Sequence, residues 1–137
     1  MRFLGLDYGS KRIGVALSDP DGTMAFPIET IQVKPDGSHF KDIKDIIDAY
    51  QVAKLVVGLP YNMDGSLGDR AREVMKWGGQ IEAFLGIPVI FWDERLSTSE
   101  AHEMLIGINV KGRKRKSIVD KIAASIILKG YLDSENT

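Results

Sequence analysis

Apolar-rich runs at residues 2 to 7 and 12 to 18, separated by a turn containing Gly9, predict two strands joined tightly. A third run, residues 24 to 33, follows the turn-forming Asp19-Pro20-Asp21-Gly22, so the N-terminal segment reads as an antiparallel meander. The period then changes from two to 3.6. Phe40, Ile43, Ile46, Ile47 and Tyr50 recur at helical spacing and predict an amphipathic helix over residues 39 to 50.

Leu55-Val56-Val57-Gly58-Leu59 and Val89-Ile90-Phe91-Trp92 are short continuous apolar runs, the pattern of strands covered on both faces in a parallel sheet. Between them Leu67, Ala71, Val74, Met75, Gly78, Ile81 and Leu85 share one helical face, as in a right-handed crossover. Gly78-Gly79 inside that helix costs about 1 kcal/mol per glycine relative to Ala, which implies close packing or a kink. Ser97-Thr98-Ser99-Glu100 has capping-box spacing and predicts a further helix with Ala101, Met104 and Leu105 inward. Lys111 to Lys116 reads as a basic loop. A last helix is expected from Ser117, packing through Val119, Ile122, Ala123, Ile126 and Ile127.

The 137 residues fit one α/β domain, residues 1 to 137, and 44% hydrophobic with 27% charged residues excludes a disordered or fibrous chain. A formal charge of −1 provides no global basic field, so local clusters decide whether nucleic acid can bind. The absence of cysteine removes disulfides, thiolate metal sites and thiol nucleophiles. No segment has the ~20 apolar residues needed to span a bilayer, and Asp7 interrupts the N-terminal apolar run too early for a signal peptide. A soluble cytoplasmic protein with no membrane partner, a monomer or weak homodimer, is the expectation. His39 and His102 fall on amphipathic helices and read as helix-surface residues, leaving no Ser-His-Asp arrangement.

Asp7 ends the first strand, where an ionised carboxylate is costly to bury unless a cation or hydrogen bonds compensate. If the strands at 2 to 7, 54 to 59 and 88 to 92 are parallel, Asp7, the Pro60-Tyr61-Asn62 loop and Asp93-Glu94 meet at one sheet edge. Asp120 adds a third carboxylate near the first turn of the last helix. All-oxygen donors suit a hard divalent ion, Mg²⁺ or Mn²⁺, and two such ions can drive phosphodiester hydrolysis. Each acid also has a structural reading. Asp7 can cap its turn, Asp93 and Glu94 can pair with Arg95 or cap a helix, and Ser117 to Asp120 itself matches a capping box.

Lys111, Arg113, Lys114, Arg115 and Lys116 form either a solvated loop or a phosphate-binding patch beside Asp120, with Lys11 and Arg12 adding charge near Asp7. Asn62 and the amides near Gly65 are candidates for a phosphate or sugar oxygen, and Ser66 for the next helix cap. Tyr61, Trp77 and Trp92 fit core packing or loop anchoring better than base stacking.

Leu6-Asp7-Tyr8-Gly9-Ser10-Lys11-Arg12-Ile13-Gly14-Val15-Ala16, Val57-Gly58-Leu59-Pro60 with Asn62-Met63-Asp64-Gly65, Asp93-Glu94-Arg95-Leu96-Ser97-Thr98 and Val119-Asp120-Lys121-Ile122-Ala123-Ala124 stand along the chain in a specific order and spacing. Together they resemble the YqgF or RuvX family of pre-16S ribosomal RNA nucleases, within the RNase H-like superfamily. The resemblance implies an RNase H-like mixed five-stranded sheet, an antiparallel N-terminal meander plus parallel strands, flanked by helices. It implies a metal-dependent nuclease processing the 5′ end of 16S ribosomal RNA. Asp7, Glu94 and Asp120 would be its metal-binding catalytic acids, and the lysines and arginines before Asp120 its nucleic-acid contacts; Lys11, Arg12, Asn62 and Arg95 are further candidate nucleic-acid contacts. The preference for Glu94 over Asp93 comes from the resemblance, because strand alternation alone leaves both open.

Related Holliday-junction resolvases place an acid just after the fourth strand, where this chain has Gly58-Leu59-Pro60 and Asp64 is the nearest carboxylate. The alternatives are a junction-resolvase-like DNA nuclease, a nucleic-acid-binding factor without hydrolysis, and a nucleotide-phosphate site. The last requires a second lobe that a chain of this length does not supply.

Overall fold

The computed structural model describes residues 1–96 and 112–136. Its five strands, β1 (Arg2–Tyr8), β2 (Arg12–Ser18), β3 (Ala25–Gln32), β4 (Val52–Leu59) and β5 (Val89–Asp93), lie in the order β3-β2-β1-β4-β5. The first three form the antiparallel meander, and β1, β4 and β5 run parallel. This is the mixed five-stranded α/β sheet expected from the sequence. Because β1, β4 and β5 are parallel, their C-terminal ends share one edge: Leu6 pairs with Val57, and Leu59 with Asp93.

Side-chain alternation divides the sheet into two faces. Leu4, Leu6, Ile13, Val15, Leu17, Leu55, Val57 and Leu59 point to one, where α1 (Ser38–Tyr50) and α2 (Asp69–Leu85) cover them through Ile43, Ile46, Ile47, Ala71, Val74, Trp77 and Ile81. Burying each such Leu or Ile stabilises by about 1.5–3 kcal/mol, which makes this layer the main source of stability. The opposite face holds Gly5, Gly14, Ala16, Val56 and Gly58 and is covered by α3 (Gly112–Glu135), through Ala124, Ile127, Leu128, Tyr131 and Leu132.

Several local expectations change. The segment from Gly112 to Lys116 is not a loop; it is the start of α3, which begins five residues before Ser117. Lys and Arg are good helix formers and no Gly or Pro interrupts residues 113 to 120, so the helix runs through. Ser117 is therefore interior, its carbonyl accepting from Thr30 Oγ1 at 2.7 Å, and Asp120 lies beyond the first turn. The capping-box reading of Asp120 falls with that. Ser66 does not cap α2, whose N-cap is Gly68 without a side-chain cap bond; Ser66 Oγ instead donates to Asp64 at 2.6 Å.

Leu67 precedes α2, and both it and Met75 are exposed, while Trp77 takes the buried position on that helix. His39 is buried rather than on the helix surface: it lies edge-on to Phe40, its ring centroid 4.8 Å away, and burial lowers its pKa. Gly78 answers the question of packing or kink. A Cβ there would meet the Phe91 ring at 2.5 Å, whereas one on the exposed Gly79 would meet nothing within 4 Å. The helix predicted from Ser97, with His102, Ala101, Met104 and Leu105, lies outside the described residues, as does Lys111. Among the described residues no helix is long and apolar enough to cross a membrane.

Candidate active site

Asp7 lies on the face covered by α3. Gly5, two residues earlier in β1, sets this parity: a Cβ there would sit 2.7 Å from Leu128 Cβ on α3. The register partner of Asp7 is Gly14, and a Cβ at Gly14 would overlap the Asp120 carbonyl. The missing side chain lets the helix backbone rest on the strand beside Asp7. The Asp7 pKa is raised to about 7, first by burial and then by the charges of Glu94 and Asp120, with Arg70 opposing them.

Glu94 opens a 3-10 turn (Glu94–Leu96) directly after β5. It continues the parity of Ile90 and Trp92, which pack on the α3 layer. Gly58 makes room for it: a Cβ at that position would meet Glu94 Oε1 and Ile127 Cδ1, each at 2.5 Å. Burial raises the Glu94 pKa, Arg70 lowers it and Asp93 raises it again. Asp93 is engaged otherwise. Its carboxylate accepts from the Arg95 backbone N–H at 2.9 Å and from the guanidinium at 2.7 Å, which holds its pKa down.

That pairing leaves Arg95 bound to Asp93 and 5.2 Å above the Tyr61 ring, so Tyr61 anchors a loop. Trp92 packs at a right angle to Tyr131 in the α3 layer, and Trp77 is core. Asn62 organises the loop after β4: Nδ2 donates to Ser66 Oγ at 3.0 Å, and its carbonyl accepts from the Gly65 amide at 2.9 Å. The Gly65 amide, expected to be open for a phosphate, is thus used within the loop. Asp64 bonds Ser66 and belongs to the same loop network.

Cations surround the acids. A cavity of about 310 Å³ is lined by Asp7, Tyr8, Lys11, Arg12, Arg70 and Asp120. Arg12 Nε donates to Asp120 Oδ2 at 2.7 Å, both side chains being largely covered. Arg70 Nη2 donates to the Tyr8 carbonyl at 2.6 Å. A larger groove of about 550 Å³ between β3 and α1 contains none of the three acids. Arg113, Lys114, Arg115 and Lys116 sit in the turns of α3 that precede Asp120.

The sequence reading missed Arg70, Gly14 and Gly58. A signal for Arg70 existed: the crossover helix after β4 starts at the C-terminal edge of the parallel strands, and an Arg in its first turn faces that edge. The glycines carried no comparable signal, because their role is to be absent from a packing contact.

The donor set fits a hard divalent ion in the manner of Mg²⁺, which uses one or two carboxylates and completes its shell with water and phosphate oxygens. Asp7 and Glu94 provide half-buried oxygens, and the charge of Glu94 that raises the Asp7 pKa is one a cation would offset. Among the described residues no three Asp, Glu or His side chains stand close enough to share one ion, and Asp120 is held by Arg12.

The family model described as "RuvX: Holliday junction resolvase" matches residues 1–134. A relative from Caldanaerobacter subterraneus subsp. tengcongensis named "Putative pre-16S rRNA nuclease" is 50% identical over 136 residues, 98% of each chain. A protein of the same name from Listeria monocytogenes is 46% identical over 138 residues, 99% of this chain and all of its own. Among solved structures, Thermus thermophilus RuvC in complex with a Holliday junction substrate superposes with TM-score 0.62 at 12% identity, covering 100% of this chain and 98% of that one. The fowlpox virus resolvase with junction DNA gives TM-score 0.56, also at 12% identity, over all of both chains. These likenesses establish the RuvC-like, RNase H-type fold.

Proposed function

This chain belongs to the RuvX family, and from that premise we propose that it is a cytoplasmic, divalent-metal-dependent nuclease that processes the 5′ end of precursor 16S ribosomal RNA. The observation that carries the reading is the half-buried Asp7 carboxylate at the C-terminal end of β1, its pKa raised by desolvation and by the charges of Glu94 and Asp120. Mg²⁺ or Mn²⁺ would be held by Asp7 and Glu94, with Asp120 joining when Arg12 turns to substrate. Such an ion supplies a nucleophilic water at neutral pH and stabilises charge on the leaving oxygen.

The remaining work falls to the chain's own groups. Lys11 and Arg12, at the mouth of the cavity, attract the phosphate backbone. Arg113, Lys114, Arg115 and Lys116, in the turns of α3 that precede Asp120, with Lys111, Arg95 and Asn62, are the further candidates for phosphate contacts. Phosphate contacts of this kind give affinity and register rather than sequence choice. The whole chain acts as one domain, as a monomer or weak homodimer.

Purified protein with Mg²⁺ or Mn²⁺ should shorten an RNA carrying the precursor 5′ extension, and Asp7→Asn should abolish it. Equal cleavage by both proteins would remove Asp7 from the chemistry. One observation favours a second reading, a nucleic-acid-binding factor without hydrolysis: the Arg12–Asp120 ion pair neutralises one of the three acids. That reading predicts salt-sensitive RNA binding with no product at any metal concentration. Parallel assays on single-stranded DNA and a four-way junction test the resolvase alternative, which Gly58 disfavours because related resolvases carry an acid just after this strand.

A further inference from the structure

Building on the reading of this cavity as a phosphodiester site, we propose that Arg70 is a catalytic residue that grips a non-bridging oxygen of the substrate phosphate beside Asp7. Arg70 is the second residue of α2 and lines the same cavity as Asp7 and Asp120. Its Nη2 donates at 2.6 Å to the carbonyl of Tyr8, the residue after Asp7, so the guanidinium is fixed relative to the strand that carries the acid. It also lies 5.5 Å from the Tyr8 ring centroid, and that ring stacks on buried Trp77 at 4.4 Å. The cation therefore rests on a rigid aromatic platform.

Two features argue for a ligand rather than a purely structural ion pair. The acid partner of Arg70 is Glu73, met at 3.3 Å through Nη1 with both side chains about half exposed, a pair of little energetic value. A guanidinium has five N–H donors in a planar fork, and Tyr8 and Glu73 take one each. The rest suit the paired oxygens of a phosphodiester. The cavity also has a requirement that Arg70 meets: three carboxylates repel a phosphate, and Arg12 must give up its pair with Asp120 to reach one, whereas Arg70 holds no acid of the site. The Arg70 charge reaches both Asp7 and Glu94, lowering the pKa of each.

The test measures binding apart from turnover. A fluorescent RNA bearing the precursor 5′ extension is titrated with Asp7→Asn and with Asp7→Asn/Arg70→Ala across a salt series. Arg70→Ala should weaken binding about tenfold and reduce the slope of log K against log salt by about 1, the signature of one lost phosphate contact. In the Asp7-intact protein, Arg70→Lys should keep that slope while lowering kcat, because a point charge replaces the fork. An unchanged slope in the Arg70→Ala protein, with Trp77 fluorescence confirming the fold, would overturn the assignment. Cleavage by wild type with kcat unaltered in Arg70→Ala would overturn it as well, leaving the nuclease reading intact. A reduced slope without cleavage by wild type would overturn the nuclease reading and with it the catalytic role, the phosphate contact alone surviving. Absence of RNA binding by every protein would overturn both.

Discussion

On one face of the sheet α1 and α2 rest on rows of Leu, Ile and Val; on the other, α3 rests on Gly5, Gly14 and Gly58. The first face keeps its helices at the distance that branched side chains require and gains burial energy. The second gives up side chains at three positions, and the gap they leave is what brings Asp120 against β2 and Glu94 against β4. All three candidate acids belong to this second face. On the proposed reading, stability and chemistry are separated across a single layer of backbone, and the candidate site is shaped by side chains that are missing.

The comparison breaks most readily at Gly14. In Gly14→Val the new side chain would overlap the Asp120 carbonyl, so α3 must lift from β2 and carry Asp120 away from Asp7. Cleavage should fall by about 100-fold or more, since displacements near 1 Å cost that much in a positioned site. Steady-state assays beside circular dichroism check this; unaltered activity in a folded protein would mean that the close approach is irrelevant. On the opposite face, Leu55→Ala should cost about 2–5 kcal/mol of stability in urea unfolding. Its kcat/KM, measured well below the melting temperature, should stay within a few-fold of wild type. A larger catalytic loss there than at Gly14 would reverse the assignment of roles.

Asp7 sharpens the comparison through pH. Its folded pKa, about 7, lies above the ordinary 3.8, so between those values the native state retains a proton that the unfolded chain has lost. Without metal, wild type should therefore lose stability as pH rises from about 4 to about 7, on the order of 3 kcal/mol, and change little from this source above it. Glu94, whose pKa is also raised, acts with the same sign. Asp7→Asn should remove most of that slope, as urea melts at a series of pH values would read; parallel slopes in both proteins would show that Asp7 is not the burdened group.

Adjacent glycines give the smallest and cleanest contrast. Gly79→Ala meets open space and should stabilise α2 by about 1 kcal/mol, whereas Gly78→Ala meets the Phe91 ring and should destabilise. Thermal melts of the pair should show opposite signs.

The sheet was legible because its strands announce themselves by turns and continuous apolar runs, and Asp7 because a carboxylate at a buried strand end contradicts its surroundings. The choice of Glu94 over Asp93 was not. β4 and β5 are apolar on both faces, so their composition hides which parity faces α3; only Gly58 against Glu94, and Asp93 against Arg95, distinguish them. The start of α3 was missed because clustered charge suggested a loop, although Lys and Arg favour helix and nothing in residues 113 to 116 breaks one. Arg70 belongs to no charge run, and only the topology that brings the first turn of α2 to Tyr8 sets it beside Asp7.

On the proposed reading, the glycine-lined face assembles a carboxylate site completed by a divalent ion at Asp7. Thermal unfolding at pH 8 with increasing Mg²⁺, for wild type and Asp7→Asn, tests this without a substrate. Binding to the native state alone raises stability by RT ln(1 + [L]/Kd), about 2.7 kcal/mol at one hundred times Kd. Wild type should melt progressively higher as Mg²⁺ increases while Asp7→Asn stays fixed; equal shifts in both proteins, or none in either, would contradict the claim.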